Sequence, residues 1–233
     1  MVELTAKSAD ELRRAVSRID ISVAPRGEGR TTEQRERWSI CRFLAAIAES
    51  DWLQYPVKLG KRERPDYLLT EKSLTTGIEI TEAVPPDWAR VDVRRKEVGD
   101  HMVLLQRFHP GEPRRSSVEI DRIARGRAGS DGWAGDSPER EWAAAMLHAF
   151  TRKIEVAGKP GFQLFDRNWV LIYDNWPLPG VEDPKAATYL MQQLQAKPLS
   201  PFDAFFVECE KEIWYFSADG YGSHPIPELW DAG

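Results

Sequence analysis

Two short segments hold the residues best suited to chemistry. Arg64-Pro65-Asp66-Tyr67-Leu68-Leu69 and Gly77-Ile78-Glu79-Ile80-Thr81-Glu82 are brief apolar runs with acids set into them. A carboxylate inside a strand must be hydrated, paired or bound to a cation, because burying a bare charge is costly. About a dozen residues separate Asp66 from Glu79, room for two adjacent strands and a turn. Carboxylates on neighbouring strands suit Mg²⁺ (or Mn²⁺), which takes one or two of them and fills its shell with water and substrate phosphate. A cation so held polarises a phosphodiester and lowers the pKa of a bound water. The same chemistry calls for a lysine near the acids and a basic approach for the substrate. Each acid also has a plainer role. Asp66 can cap a strand start, and Glu79 can face solvent on an open antiparallel sheet. Glu82 is out of phase with Glu79 and is expected on the opposite face.

These acids need elements to hold them. Ser8 caps a short helix at about 9–20. Residues 24–30 form a flexible break, and Thr31 or Thr32 then caps a stronger helix to about Ser50. Its apolar stripe is Trp38, Cys41, Leu44, Ala45, Ile47 and Ala48, at three- and four-residue steps. The acidic strands follow at about 65–70 and 77–83, closed by Pro85-Pro86. A helical pattern from Trp88 to about Arg107 uses Val91, Val98, Met102 and Leu105. Residues 114–136 are weakly patterned, with Val118–Ile123 fitting a short helix or strand. Ser137-Pro138-Glu139 opens a helix that stops near Gly158. Asn168–Asp174 is the most apolar strand, expected to be buried on both faces. A helix at about 183–195 precedes a hairpin of strands 204–209 and 212–216. This order predicts an α/β fold: a single mixed β-sheet flanked by helices on both faces. It reads as one domain over 1–233, with a core at about 31–217 and an insertion at 108–136.

Composition narrows the function classes. The formal net charge is −5, which excludes a uniformly basic surface. The distribution is uneven: ten Lys/Arg face six Asp/Glu from Arg90 to Arg127, and eight face sixteen from Ala128 onward. A local phosphate-binding face is therefore allowed, and the Arg94-Arg95-Lys96 run is its best candidate. No apolar run is long enough for a transmembrane helix. Met1-Val2-Glu3-Leu4 lacks the basic-then-apolar layout of a signal peptide. Cys41 and Cys209 stand alone, and read as small buried hydrophobes in a reducing cytoplasm rather than a disulfide or zinc site. His101, His109, His148 and His224 have no metal-ligand spacing. No phosphate-binding Gly-rich loop and no nucleophile elbow are present. Of nine tryptophans, Trp142 and Trp169 fit core positions. Trp88, Trp133, Trp176 and Trp230 fall in loops or at element ends, where they cover the core or present stacking surfaces.

The acidic segments resemble the PD-(D/E)XK nuclease superfamily, with its restriction-endonuclease-like fold. Pro65-Asp66 matches the PD element, and Glu79 matches the acid of the (D/E)XK element on the next strand. The helix carrying Glu33 and Glu36 matches the superfamily's first core helix, which often adds a third acid. The helix 138–157 and strand Trp169–Tyr173 are similar to its later helix-then-strand half. The resemblance covers about residues 31–175 of the chain, and the motif that carries it is short and degenerate. It implies Mg²⁺-dependent cleavage of nucleic acid, usually DNA. Asp66 and Glu79 would bind the metal with support from Glu36, and Arg94, Arg95 and Lys96 would hold phosphates. One departure stands out: Thr81 occupies the motif's lysine position. Some members carry that lysine on a nearby helix, and Lys153 is the first candidate here, ahead of Lys96 and Lys159. With no such lysine, the chain would instead be an inactive relative that binds protein or nucleic acid through its tryptophan-bearing loops. Neither reading involves a membrane, and a homodimer is compatible with both.

Overall fold

Trp169-Val170-Leu171-Ile172 has no polar residue, so both of its sides must be covered. In a computed structural model, which describes residues 2–99, 106–195 and 199–230, all four are fully buried at the centre of one eight-stranded sheet. The strands are β1 (Leu4–Ala6), β2 (Val57–Lys61), β3 (Tyr67–Thr70), β4 (Thr75–Ala83), β5 (Arg167–Asp174), β6 (Ala204–Cys209), β7 (Glu212–Ser217) and β8 (Gly220–Pro225). They lie side by side in chain order. The pairs from β1 to β4 are antiparallel, β4–β5–β6 are parallel, and β6–β7–β8 are antiparallel. The α/β class and the single mixed sheet match the expectation. β1, β2 and β8 are additions to it. β1 is three residues long, β2 is interrupted by Gly60, and β8 reads GYGSHP. Each carries at most two or three residues of apolar alternation, too few to stand out in sequence, and pairing with a stronger neighbour makes each a strand.

Helices α1 (Ala9–Ser17), α2 (Thr32–Ile47), α3 (Pro86–Val98), α4 (Ser117–Ala124), α5 (Ser137–Ala157) and α6 (Asp183–Leu194) flank the sheet. Alternation along β5 divides the core. Trp169 and Leu171 join Ile78, Ile80 and Phe206 under α1 and α2. Val170 and Ile172 join Phe205 and Val207 under α5 and α6. α2 starts on a capping box, with Thr31 and Gln34 satisfying each other's backbone N–H. Its C-terminal half is buried nearly all round, beyond the single stripe expected, because α1 and the Ile226–Trp230 tail cover its far side. Both cysteines are buried and free, as their isolated positions suggested; burial pushes the Cys41 thiol up to about 12.

α3 is shorter than the Trp88–Arg107 pattern suggests. It closes at Gly99, whose φ of 95° is the left-handed C-cap that glycine allows. His101, Met102 and Leu105 lie outside the described residues. The weakly patterned stretch supplies α4, capped by Ser116 and Glu119. Ile120, Ile123 and Ala124 pack with Val91 of α3 in a small separate cluster. Trp142 and Trp169 are core residues, and Trp88, Trp176 and Trp230 pack at the margins of the three clusters. No described helix is long and apolar enough to cross a membrane.

One close approach fixes the acid-bearing strands. A Cβ on Gly77 would lie 2.9 Å from both Pro65 Cγ and Phe165 Cδ2. The absent side chain lets Pro65 seat against β4, and Pro65 carries Asp66. Gly77→Ala is therefore expected to destabilise the fold by about 1–3 kcal/mol through overpacking, measured as a lower urea midpoint with an unchanged m-value.

Candidate functional site

The β3–β4 register decides where the two acids sit. Tyr67 pairs with Ile78, so Asp66, one residue before, and Glu79, one residue after, meet across the same antiparallel pair. The Asp66 Oδ2 atom accepts the backbone N–H of Ile80 at 2.7 Å, which ties its carboxylate to β4. Glu79 projects from β4 on the α5 side and is only 5% exposed. Lys153 reaches it from α5, with Nζ 2.7 Å from Oε2. Burial raises the proton affinity of Glu79. The Lys153 cation opposes that, and the Asp66 carboxylate adds to it.

A second amine completes the cluster. Lys61, at the end of β2, donates from Nζ to Glu36 Oε2 at 2.6 Å and lies 3.8 Å from Asp66 Oδ1. It rests over the Tyr67 ring, 4.6 Å from the centroid. The cluster thus runs from Glu36 through Lys61, Asp66 and Glu79 to Lys153, with the two strand acids side by side and an amine at each flank. Glu36 joins by way of Lys61 and does not share a cage with the strand acids. Among the described residues, no group of three or more His, Cys, Asp or Glu side chains converges as metal ligands. The donor chemistry still fits a hard cation. One carboxylate on β4 and one immediately before β3 meet the protein's usual share of a Mg²⁺ shell, and three acids against two amines leave one negative charge over.

Thr81 lies two residues beyond Glu79, on the same face of β4, where the motif's lysine would stand. Lys153 brings an ammonium to that place from the neighbouring helix; Lys96 instead binds Glu28 at 2.9 Å. Thr81 and Lys153 both line a cleft of about 570 Å³ between α5, the β4–α3 turn and the 109–114 loop. His109, Arg114, His148 and Arg152 line it too. Arg114 and Arg152 have no acidic partner among the described residues. Burial, with Arg152 beside it, lowers the proton affinity of His148. These four residues were not expected at the site. His148 and Arg152 stand four apart on one helix, a spacing that marks a shared face with Lys153 close by. His109 and Arg114 come from a loop whose path has no sequence signature.

The expected phosphate contacts fall differently. Arg94 binds Glu97 at 2.6 Å and Asp121 at 2.7 Å. Lys96 is held by Glu28 and the Arg26 carbonyl, and Arg95 sits between them on α3. Arg94 and Lys96 thus tie α3 to α4 and to the loop before α2. Comparison of the chain with protein-family models, curated proteins and solved structures found no match.

Lys153→Met is expected to cost about 3 kcal/mol at neutral pH, because it strands a buried carboxylate; adding Glu79→Gln should restore most of that loss. The pH dependence has a defined sign. The Glu79 carboxyl is held above its ordinary 4.5 in the folded chain, so below that value both states are protonated alike. As pH rises past it, the unfolded chain releases the proton first, and stability falls. Removing Lys153 raises the folded value further and widens this window. Urea unfolding should therefore show the Lys153→Met deficit shrinking from about pH 7.5 to about pH 4.

Proposed function

We propose that this chain is a metal-dependent nuclease with a restriction-endonuclease-like core, hydrolysing phosphodiester bonds of nucleic acid, DNA foremost. The observation that carries this reading is the Lys153 ammonium, 2.7 Å from Glu79 and beside Thr81. It provides from α5 the cation that the strand motif lacks. The element order adds support. A helix with Glu36, an antiparallel pair with Asp66 at the start of one strand and Glu79 on the other, a helix with Lys153 and a parallel strand come in the order the resemblance implies, with α3 and α4 set between the second strand and the Lys153 helix.

Each residue has a chemical task in this reading. Asp66 and Glu79 would hold Mg²⁺ or Mn²⁺, which when bound polarises the phosphodiester and acidifies a coordinated water. The Ile80 N–H orients Asp66 through Oδ2, leaving Oδ1 on the Lys61 side. Lys153 has three donors. One binds Glu79, and the others can meet the water or the charge developing on phosphorus. Arg114 and Arg152 give the cleft its positive wall for the flanking phosphates. Lys61 stands between Glu36 and Asp66 and offsets their mutual repulsion.

A second reading, an inactive binding module on the same scaffold, is favoured by the pairing of each acid with an amine. Cleavage assays with Mg²⁺ and Mn²⁺ on single- and double-stranded DNA and RNA separate the two. The nuclease reading expects turnover that falls at least about 100-fold in Asp66→Asn, Glu79→Gln and Lys153→Met. It also expects calorimetric metal uptake that disappears in Asp66→Asn. Folded protein that neither cleaves nor takes up metal would leave the binding module.

A further inference from the structure

The other face of β4 carries a cluster that the acid–amine chain does not use. Glu82, as its phase predicts, projects toward α2, and its side chain is 8% exposed. Three guanidinium groups surround it: Arg26 and Arg30 from the loop before α2, and Arg35 from the first turn of α2. Asn175 Nδ2 donates to it as well, at 2.6 Å. The acids nearby do not balance this charge. Asp92 reaches only Arg26, at 3.9 Å, and Glu208 is occupied by Arg42 and the Trp38 indole N–H. Four arginines therefore face three acids.

The surplus sits around a pocket. Arg30 and Arg35 form one side of a hollow of about 270 Å³, closed by Val23, Ala24, Pro25, Trp38 and Tyr173. Arg30 is the least well paired of the three. Its contact to Glu82 is 3.3 Å, and its buried Nε–H has no acceptor. Burial makes this guanidinium easier to deprotonate; Glu82 opposes that, and Arg26 and Arg35 add to it. Tyr173 stands near the C-terminal end of β5 and makes no hydrogen bond through its hydroxyl among the described residues. Crevices at the carboxyl ends of parallel strands are where open α/β sheets take ligands.

The donor geometry selects the ligand. Two guanidinium forks and a phenol hydroxyl offer more donors than a carboxylate has oxygens to accept, and they suit a tetrahedral oxyanion. The apolar wall of Val23, Ala24 and Pro25, with the Trp38 ring, has room for a body attached to it. We propose that this pocket is a phosphomonoester site, with Arg30, Arg35 and Tyr173 on the phosphate and Val23, Pro25 and Trp38 on the group that carries it. The site does not depend on the nuclease reading. It lies across β4 from Glu79 and requires no cation.

Calorimetric titration of the full chain, with chelator present, tests this. The probes are inorganic phosphate, adenosine monophosphate, and one oligonucleotide with and without a 5′-phosphate; benzoate is the carboxylate control. The expected result is saturable binding of a phosphate-bearing probe, weakened at least about tenfold in Arg30→Gln and in Tyr173→Phe, the loss of one charged or polar contact. Preference for the mononucleotide assigns a free ligand, and preference for the 5′-phosphorylated strand over its hydroxyl form assigns a strand end. Tyr173→Phe keeps the ring and the packing, so it decides the matter if Arg30→Gln does not fold. No saturable binding of any phosphate probe, equal binding of benzoate, or binding unchanged in the folded variants would overturn the proposal.

Discussion

A carboxylate on a buried central strand constrains everything around it. Glu79 sits on β4 between two apolar neighbours, under α5, at a depth where an unpaired charge would be prohibitive. The cost is met by one ammonium, and that ammonium must come from a helix because the adjacent strand positions on this face offer none. Lys153 therefore fixes the rotation of α5 about its axis and the height at which α5 crosses the sheet. The same rotation turns Phe150 and Met146 into the core and leaves His148 and Arg152 toward the cleft. An arrangement that looks like active-site chemistry is thus also a packing restraint, and the two roles share one ion pair.

The register of β3 against β4 is the second restraint. A slip of one residue would move Asp66 off the Ile80 N–H and turn its neighbours to the wrong faces. Gly77 guards against this by admitting Pro65 and Phe165 to contact distance, and the Lys61 amine spans Glu36 and Asp66 from β2. Three strands and two helices are pinned at one point by charge, where the rest of the sheet is pinned by apolar area. Such a cluster brings little net stability, since desolvation offsets most of the Coulomb attraction. What it gives is a single geometry.

Much of this was legible from residue order. Asp66 and Glu79 stood out because acids in apolar runs demand a partner, and Lys153 because it lies on the long helix ahead of the most apolar strand. Trp169–Ile172 announced a strand covered on both sides. Lys61 was hidden because Gly60 breaks the strand signal of its segment. The Arg94–Lys96 run read as basic because two of its partners, Glu28 and Asp121, are far away in sequence; folding ties Arg94 to α4 and Lys96 to the loop before α2. His109 and Arg114 were beyond reach for a related reason, as their loop is placed by what it packs against and not by its own pattern.

The topology explains why so much charge collects at one edge of the sheet. β4 and β5 run parallel and end together, while β3 pairs only with the first half of β4, so Asp66 lies opposite the middle of β4 and the second half of β4 has no β3 partner. Backbone carbonyls at the ends of parallel strands, the first turns of α2, and the loops that connect them all open there. Alternation along β4 then sends Glu79 to one face and Glu82 to the other. One face answers with a lysine and a histidine- and arginine-bordered cleft, and the other with three arginines around a small hollow. An anion approaching this edge meets positive charge on either side of β4 despite a formal net charge of −5. The acidic C-terminal part of the chain lowers the total without cancelling the local field, because screening in physiological salt confines each cluster's influence to roughly 8 Å. Local arrangement, not the sum over the chain, sets what this edge can bind.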